Sequence, residues 1–292
     1  MSAITTLGFI GVGTMGGRMC RNLAAKSGLP VIAYDVDPAR LAVLADAGVT
    51  PAAKVGDVAT GADLIFMCLP GEPQVEAVAF ESGGLVDCVD AGQIVVDMTT
   101  ATVRVARELA SRLEAKGVEF ADAPVAKGVP SAADGTLSIM VGATEALFER
   151  IRPFLETMGT EISLCGGVGT GQVLKLMNNM MIFQTVSALA EALAIGTRAG
   201  VDGTRMFEVL SHGSADSFAL RRHGAWMAKG EYPDDLFPTT YSLKDLRYAL
   251  DLAEQVGVDA QGAKLVESRF VEAIERGFGD RYSPVIYKLF EE

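Results

Sequence analysis

The sequence predicts an α/β half followed by an all-helical half, the two joined through a long helix. Three observations carry that prediction. Short apolar, β-branched runs alternate with helical patterns up to residue 165, the signature of βαβ units and a mostly parallel sheet with helices on both faces. The run Gly166-Gly167-Val168-Gly169-Thr170-Gly171 then breaks the pattern. Beyond it, Gln172 to Ala199 reads as one helix, and no later stretch reads as a strand. The expected division is therefore 1–165 and 166–292.

Strands are expected at Leu7–Ile10, Val31–Tyr34, Leu64–Cys68, Ile94–Val96, Glu119–Ala121, Ser138–Val141 and Glu161–Leu164. The early ones are almost wholly apolar rather than alternating, as strands covered on both faces must be. Helical patterns fall between them at 14–26, 38–46, 73–79, 101–115 and 144–157. After the long helix, further helices are expected at 203–211, 216–229, 242–256 and 260–276, separated by Gly and Pro.

Composition narrows the partners. The 292 residues carry 25 Lys+Arg against 37 Asp+Glu, a formal net charge of −12. No basic excess is available to meet phosphates, which disfavours nucleic acid or an anionic membrane as main partner while leaving small acidic substrates open. Cys20, Cys68, Cys88 and Cys165 lie far apart, and with only His212 and His223 they assemble no metal cluster. No leader pattern and no apolar run of membrane-spanning length is seen, so a reduced, cytoplasmic location is expected.

The first chemical signal is Gly11-Val12-Gly13-Thr14-Met15-Gly16, a G-x-G-x-x-G that follows the first strand and opens the first helix. Gly11 permits the tight turn, Gly13 lets a pyrophosphate approach the backbone, and Gly16 allows helix and strand to pack closely. The free N–H groups and the positive helix end then receive phosphates. At the end of the next strand stands Asp35, about 20 residues on, where a carboxylate accepts ribose hydroxyls or caps the following helix. A carboxylate there repels a 2′-phosphate, and no Arg or Lys follows until Arg40, so NAD is expected, with NADP possible. The first half is thus Rossmann-like.

The second signal is Lys175, Asn178 and Asn179, spaced i, i+3, i+4 so that a helix places all three on one face. This helix starts at the domain boundary, where that face can look into an interdomain cleft. Reduction of a carbonyl by hydride needs a proton donor for the developing alkoxide, and a Lys ammonium supplies one. In the oxidation direction the amine must accept that proton, which requires a lowered pKa.

Taken together, four ordered motifs make the whole chain resemble the β-hydroxyacid dehydrogenase family, which includes 3-hydroxyisobutyrate dehydrogenases and tartronate semialdehyde reductases. They are Gly8 to Gly16 with its Met15; Asp122-Ala123-Pro124-Val125 with Gly135-Thr136-Leu137; Gly169-Thr170-Gly171 leading to Lys175, Asn178 and Asn179; and Lys244-Asp245-Leu246. The resemblance implies that Lys175 is the catalytic acid and base and that Asn179 orients the substrate. It also implies cofactor contacts from Leu69, Pro70, Thr100 and Lys244, with Phe237 and Asp245 lining the active site; for Thr100 a helix N-cap is the competing role. A homodimer or homotetramer is implied as well, the stretch Met180-Met181-Ile182-Phe183 supplying an interface.

One departure stands out. Where the family usually has Ser-Gly-Gly after Asp-x-Pro-Val, this chain has Ala126-Lys127-Gly128. A hydroxyl is lost and a cation gained at the substrate-binding segment, so Lys127 either pairs with a second anionic group, a carboxylate or sulfonate, or points to solvent. The expected reaction is NAD(P)-dependent interconversion of a small β-hydroxyacid with its semialdehyde or keto acid, or the same chemistry run as a tartronate or succinic semialdehyde reductase. Imine reductases typically lack the Lys, and a decarboxylating 6-phosphogluconate enzyme has a larger helical domain. A non-catalytic dinucleotide-binding module predicts loss of Lys175.

Overall fold

In the computed structural model, which describes residues 3–233 and 236–291, the chain forms two compact units, Met1–Lys175 and Leu176–Glu292. The first contains β1 (Leu7–Ile10), β2 (Val31–Tyr34), β3 (Thr50–Pro51), β4 (Leu64–Met67), β5 (Ile94–Asp97), β6 (Glu119–Asp122), β7 (Val125–Ala126), β8 (Leu137–Gly142) and β9 (Gly159–Gly166). Among the described residues these make one sheet in the order β3-β2-β1-β4-β5-β6-β8-β7, with β9 paired to β8. From β3 through β6 every pairing is parallel. The antiparallel exceptions are β8 against β6 and against β7.

Alternate residues of the central strands point to opposite faces and build two cores. Leu7, Phe9, Leu64, Phe66, Ile94 and Val96 pack on one side, and Ile10, Ile65, Met67 and Val95 on the other. Both layers of helices are needed to cover them, which is why these strands read as unbroken apolar runs. Hydroxyl N-caps start two of the covering helices: Thr102 accepts the Val105 N–H before Val103–Glu114, and Thr144 accepts the Leu147 N–H before Glu145–Leu155. The helical pattern at 38–46 resolves into Pro38–Ala42 and a separate 3₁₀ turn, Ala45–Ala47. Helices Val55–Gly61, Leu85–Cys88 and Gly128–Asp134 and strands β3 and β7 were not expected. Each is two to seven residues long, too short for a period to show.

The long helix runs Thr170–Arg198. The compact units divide inside it, between Lys175 and Leu176. Its first turns are bonded to the sheet of the first unit, so chain contacts change only after them.

In the second unit Phe183, Val186, Ala190 and Leu193 of this helix pack with Phe207, Leu246, Phe270 and Ile286. The Phe183 and Phe270 rings meet edge to face at 5.4 Å. The other helices are Gly203–Leu210, Ala225–Lys229 after a π turn at Leu220–Gly224, Thr239–Gln255 and Gln261–Ala273, with a 3₁₀ segment at Ser283–Phe290. Of the stretch 180–183 only Met181 is well exposed; Phe183 belongs to the core because helical periodicity turns it inward. By length and composition the long helix is apolar enough to cross a membrane. The core helix of a folded unit passes the same test, and this one contributes Phe183, Val186, Ala190 and Leu193 to the core of the second unit.

The approach of the first helix to β1 leaves no space for a side chain at Gly16. A Cβ there would stand 2.0 Å from the Gly11 carbonyl oxygen. Gly16→Ala is expected to destabilise the chain by about 2–4 kcal/mol through forced backbone displacement, read as a lower urea midpoint at unchanged slope.

Candidate active site

All strands from β3 to β6 run in one direction, so their carboxyl ends share one edge of the sheet, and the site residues of the first unit follow those ends. After β1 the backbone turns at Gly11, with φ +88°. A Cβ at this position would meet the Cys68 carbonyl oxygen at 2.4 Å. The helix Gly16–Ser27 then begins with no side-chain cap and no acid in its first turn. The Gly17 N–H is taken by the Gly13 carbonyl at 2.9 Å, and no side chain caps the amides around it, the arrangement that suits a phosphate. Met15 packs partly against the core and Thr14 is exposed.

Asp35 follows β2 and turns back on this loop. One carboxylate oxygen accepts the Val12 N–H at 2.8 Å and the other the Asp37 N–H at 2.9 Å. The next helix is capped by Asp37, which accepts the Ala39 N–H. Arg40 also turns back: its guanidinium lies 2.9 Å from where a Gly13 Cβ would stand. Together with Val12, Thr14, Gly17 and Arg18 it borders a shallow cavity of about 290 Å³.

After β4, Leu69 lies half-buried against Gly11, with its N–H donated to Thr99 Oγ1 at 3.0 Å, and Pro70 is exposed. After β5, Asp97 accepts the Thr99 N–H at 2.9 Å through one oxygen, while its other oxygen is buried without a partner. Thr100 is half-buried beyond it, and the cap of the following helix is Thr102.

Asp122 ends β6, opposite Asp97 in register. Its carboxylate is fully buried and accepts the Gly169 N–H at 2.6 Å and the Gln172 N–H at 2.8 Å, at the start of the long helix. Gln172 adds a second tie: its Nε2 donates to the Thr99 carbonyl at 2.6 Å and its Oε1 accepts the Ala101 N–H at 3.1 Å. One turn further on stands Lys175, 9% exposed. Burial pushes the Asp97 carboxyl up to about 7, although the Thr99 hydrogen bonds oppose this. Burial likewise raises Asp122, to about 6, against the helix-start amides that favour its charge.

Ala126 pairs with Ser138 in the β7–β8 ladder, and the chain then turns through Lys127 and Gly128 at φ +82° and +79°. Lys127 is exposed and, among the described residues, is the one non-glycine in the left-handed region.

In the second unit Asn179 is buried, donating to Asp245 Oδ2 at 2.7 Å and accepting from Asn178 Nδ2 at 3.0 Å. Lys244 holds the other Asp245 oxygen at 2.8 Å and lies over the Tyr248 and Tyr241 rings at 4.9 and 5.7 Å. Phe237, 40% exposed, meets Tyr241 edge to face. Within the first unit the structure therefore gathers the glycine loop, Asp35, Leu69, Thr100 and Lys175 along one sheet edge; within the second it joins Asn179, Lys244 and Asp245. Sequence reasoning passed over Thr99, Gln172 and the capping role of Asp122. A Gln three residues before a motif Lys was the available signal.

Comparisons with known proteins identify relatives along the whole chain. Residues 6–167 match the profile described as the NAD binding domain of 6-phosphogluconate dehydrogenase, and residues 169–290 that described as NAD-binding of NADP-dependent 3-hydroxyisobutyrate dehydrogenase. The chain is 32% identical over 287 residues to 2-(hydroxymethyl)glutarate dehydrogenase of Eubacterium barkeri, covering 98% of this chain and 95% of the relative. It is 34% identical over 264 residues to 2-hydroxy-3-oxopropionate reductase of Escherichia coli K12, covering 90% and 89%. Among solved structures, Mycobacterium tuberculosis 3-hydroxyisobutyrate dehydrogenase with L-serine aligns with a TM-score of 0.90 at 26% identity, over 99% of this chain and 100% of that one.

The buried acids set a pH dependence of stability. Both folded-state values lie above the ordinary 3.8, at about 7 and about 6. Between roughly pH 4 and 7 the folded chain therefore binds more protons than the unfolded one, and these groups make stability fall as pH rises through that window. A thermal-unfolding series is expected to show this decline, and Asp97→Asn to flatten it.

Proposed function

Because the chain belongs to the β-hydroxyacid dehydrogenase family, we propose that Lys175 is the group that gives and takes the proton at the reacting oxygen of a small β-hydroxyacid. The enzyme is an NAD(P)-dependent oxidoreductase acting on CH–OH. The observation that carries the Lys175 assignment is its position: buried, one turn into a helix whose start is tied to the carboxyl ends of β5 and β6. Ligands of open α/β sheets bind outside that edge.

The glycine loop fits a dinucleotide, since its amides are uncapped and side chains are excluded at Gly11 and Gly16. Backbone groups of Gly11 to Gly16 hold the pyrophosphate, Asp35 the adenosine ribose, Leu69 and Pro70 the adenosine side, and Thr100 and Lys244 the nicotinamide end. When bound, the dinucleotide supplies the hydride acceptor or donor. In oxidation, neutral Lys175 Nζ takes the hydroxyl proton as the carbonyl forms; in reduction, its ammonium returns a proton to the alkoxide. Asn179, held by Asp245, orients the substrate, and Phe237 lines its apolar side. NAD is the preferred form, because the Asp35 carboxylate repels a 2′-phosphate.

Two carboxylates suit this site better than one. Lys127 is a cation on a left-handed turn beside Ala126 and Gly128, it is exposed, and it makes no ion pair with a described residue. The relative of Eubacterium barkeri is named for a dicarboxylate. The substrate is therefore a β-hydroxyacid with a second anionic group, a carboxylate or sulfonate, bound at Lys127, while backbone groups of residues 126–128 take the first. The 2-hydroxy-3-oxopropionate reductase direction uses the same groups in reverse. The four free cysteines suit a reducing cytoplasm, and the exposed Met181 and Ile195 suit a homodimer or homotetramer.

A spectrophotometric panel with NAD and NADP, covering 3-hydroxyisobutyrate, serine, glycerate, 4-hydroxybutyrate, threonate, 2-(hydroxymethyl)glutarate and dihydroxypropanesulfonate, tests both assignments. Lys175→Ala is expected to lower kcat by roughly 10²- to 10⁴-fold; native-like turnover would remove Lys175 from the chemistry. Lys127→Ala is expected to raise KM about 10-fold or more for the dianionic acids alone. An unchanged KM would place Lys127 in solvent.

A further inference from the structure

The helix that carries Lys175 starts from a glycine-rich run. Six residues before Lys175 stands Gly169 at φ +92°, within a run holding four glycines, so the local sequence does nothing to fix how the helix is rotated about its axis. Asp122 satisfies amides at that start. Both bonds end on backbone amides, those of residues 169 and 172.

Rotation is restrained by a different group. Gln172 is wholly buried, and its side-chain amide is used at both ends, donating to Thr99 O at 2.6 Å and accepting from Ala101 N–H at 3.1 Å. Both partners belong to the segment leaving β5, which contains Thr100. Thr99 is itself fixed from two further directions, by Asp97 Oδ1 on its N–H and by the Leu69 N–H on its hydroxyl. The amide therefore grips a braced segment, three residues and one turn before Lys175. Neighbours at this spacing share a face, so any rotation released at Gln172 moves the Lys175 ammonium sideways along the sheet edge.

We propose that Gln172 is a positioning residue of the reaction: by bridging Thr99 O and Ala101 N–H it sets the rotation of the helix at Lys175 relative to the strand end that carries Thr100. This rests on the reading of Lys175 as proton donor and acceptor. Gln172 touches neither substrate nor cofactor and acts only through Lys175.

The test is a double-mutant cycle in the full-length chain with NAD and the most active acid of the panel. Gln172→Met keeps the volume and removes both hydrogen bonds; Gln172→Leu removes them with a branched apolar side chain, giving a second variant should the first fold poorly. Each is placed in the native and Lys175→Ala backgrounds. In the native background kcat is expected to fall about 10- to 100-fold with KM for NAD and acid nearly unchanged, and the acid limb of the kcat–pH profile to move. In the Lys175→Ala background, turnover restored by added ethylamine is expected to be indifferent to Gln172→Met, because a diffusible amine needs no helix to place it.

A readout without turnover accompanies these. Labelling of Lys175 by trinitrobenzenesulfonate in the free chain, read peptide by peptide, is expected to quicken severalfold in both variants relative to the other lysines. Equal proportional losses in both backgrounds, a loss confined to KM for NAD, or unchanged labelling would each overturn the proposal and leave Gln172 a packing residue. Native-like turnover of Lys175→Ala alone would instead remove the premise, and the proposal with it.

Discussion

Much of the first unit depends on one buried charge, the Asp122 carboxylate. A carboxylate removed from water must be met by donors, and the donors here are the first amides of the long helix, Gly169 and Gln172. The positive end of the helix dipole adds to the same attraction. The requirement shapes its neighbours: a Cβ on Gly142 would stand 2.3 Å from one Asp122 oxygen, and one on Gly171 would stand 2.8 Å from the other. The glycine run is thus more than a break between two patterns. It lets backbone close over the acid, and so it welds the start of the helix to the end of β6.

The same device recurs along the sheet edge. Asp35, Asp97 and Asp122 each stand at or just after a strand end and accept amides of the loops there: Val12 and Asp37, then Thr99, then Gly169 and Gln172. Loops that receive ligands need a defined backbone without apolar packing of their own, and a carboxylate receiving loop amides supplies it. The acids differ in what surrounds them. Asp97 has an oxygen without a partner and is pushed furthest toward protonation, whereas Asp122, met by helix-start amides, is raised less. In register beside Asp97, the Asp122 charge adds a smaller push in the same direction to the Asp97 carboxyl. Through Thr99 and Gln172 that pair is linked by hydrogen bonds to the turn before Lys175.

Long, patterned elements were legible in the sequence. Unbroken apolar runs marked β1, β2 and β4 because helices cover both their faces, and a stretch free of breakers marked the long helix to within two residues at its start. Elements of two to seven residues were not legible, since β3 and β7 exist only through their ladders with β2 and β8. The same limit applied to the candidate site. Motif residues with a chemical identity, such as Gly13, Asp35, Lys175 and Asn179, could be named from spacing. Thr99 and Gln172 could not, because their importance lies in partners 30 and 73 residues away.

By itself, the sequence determined the α/β-then-helical order, the glycine loop on a strand-turn-helix, the family, and the lysine and asparagines on one helical face. All but the family follow from short-range periodicity and local turn chemistry, which neighbouring residues carry; the family follows from the resemblance of four ordered motifs. Only the tertiary structure decided that Asp35 braces the glycine loop while Asp37 caps the next helix. It alone showed that Arg40 folds back over Gly13 and that Lys127 occupies a left-handed turn. The brace from Asp35 depends on which distant backbone group lies within about 3 Å of its carboxylate, the reach of a hydrogen bond. Strand order and helix packing set that distance, and no local pattern encodes it.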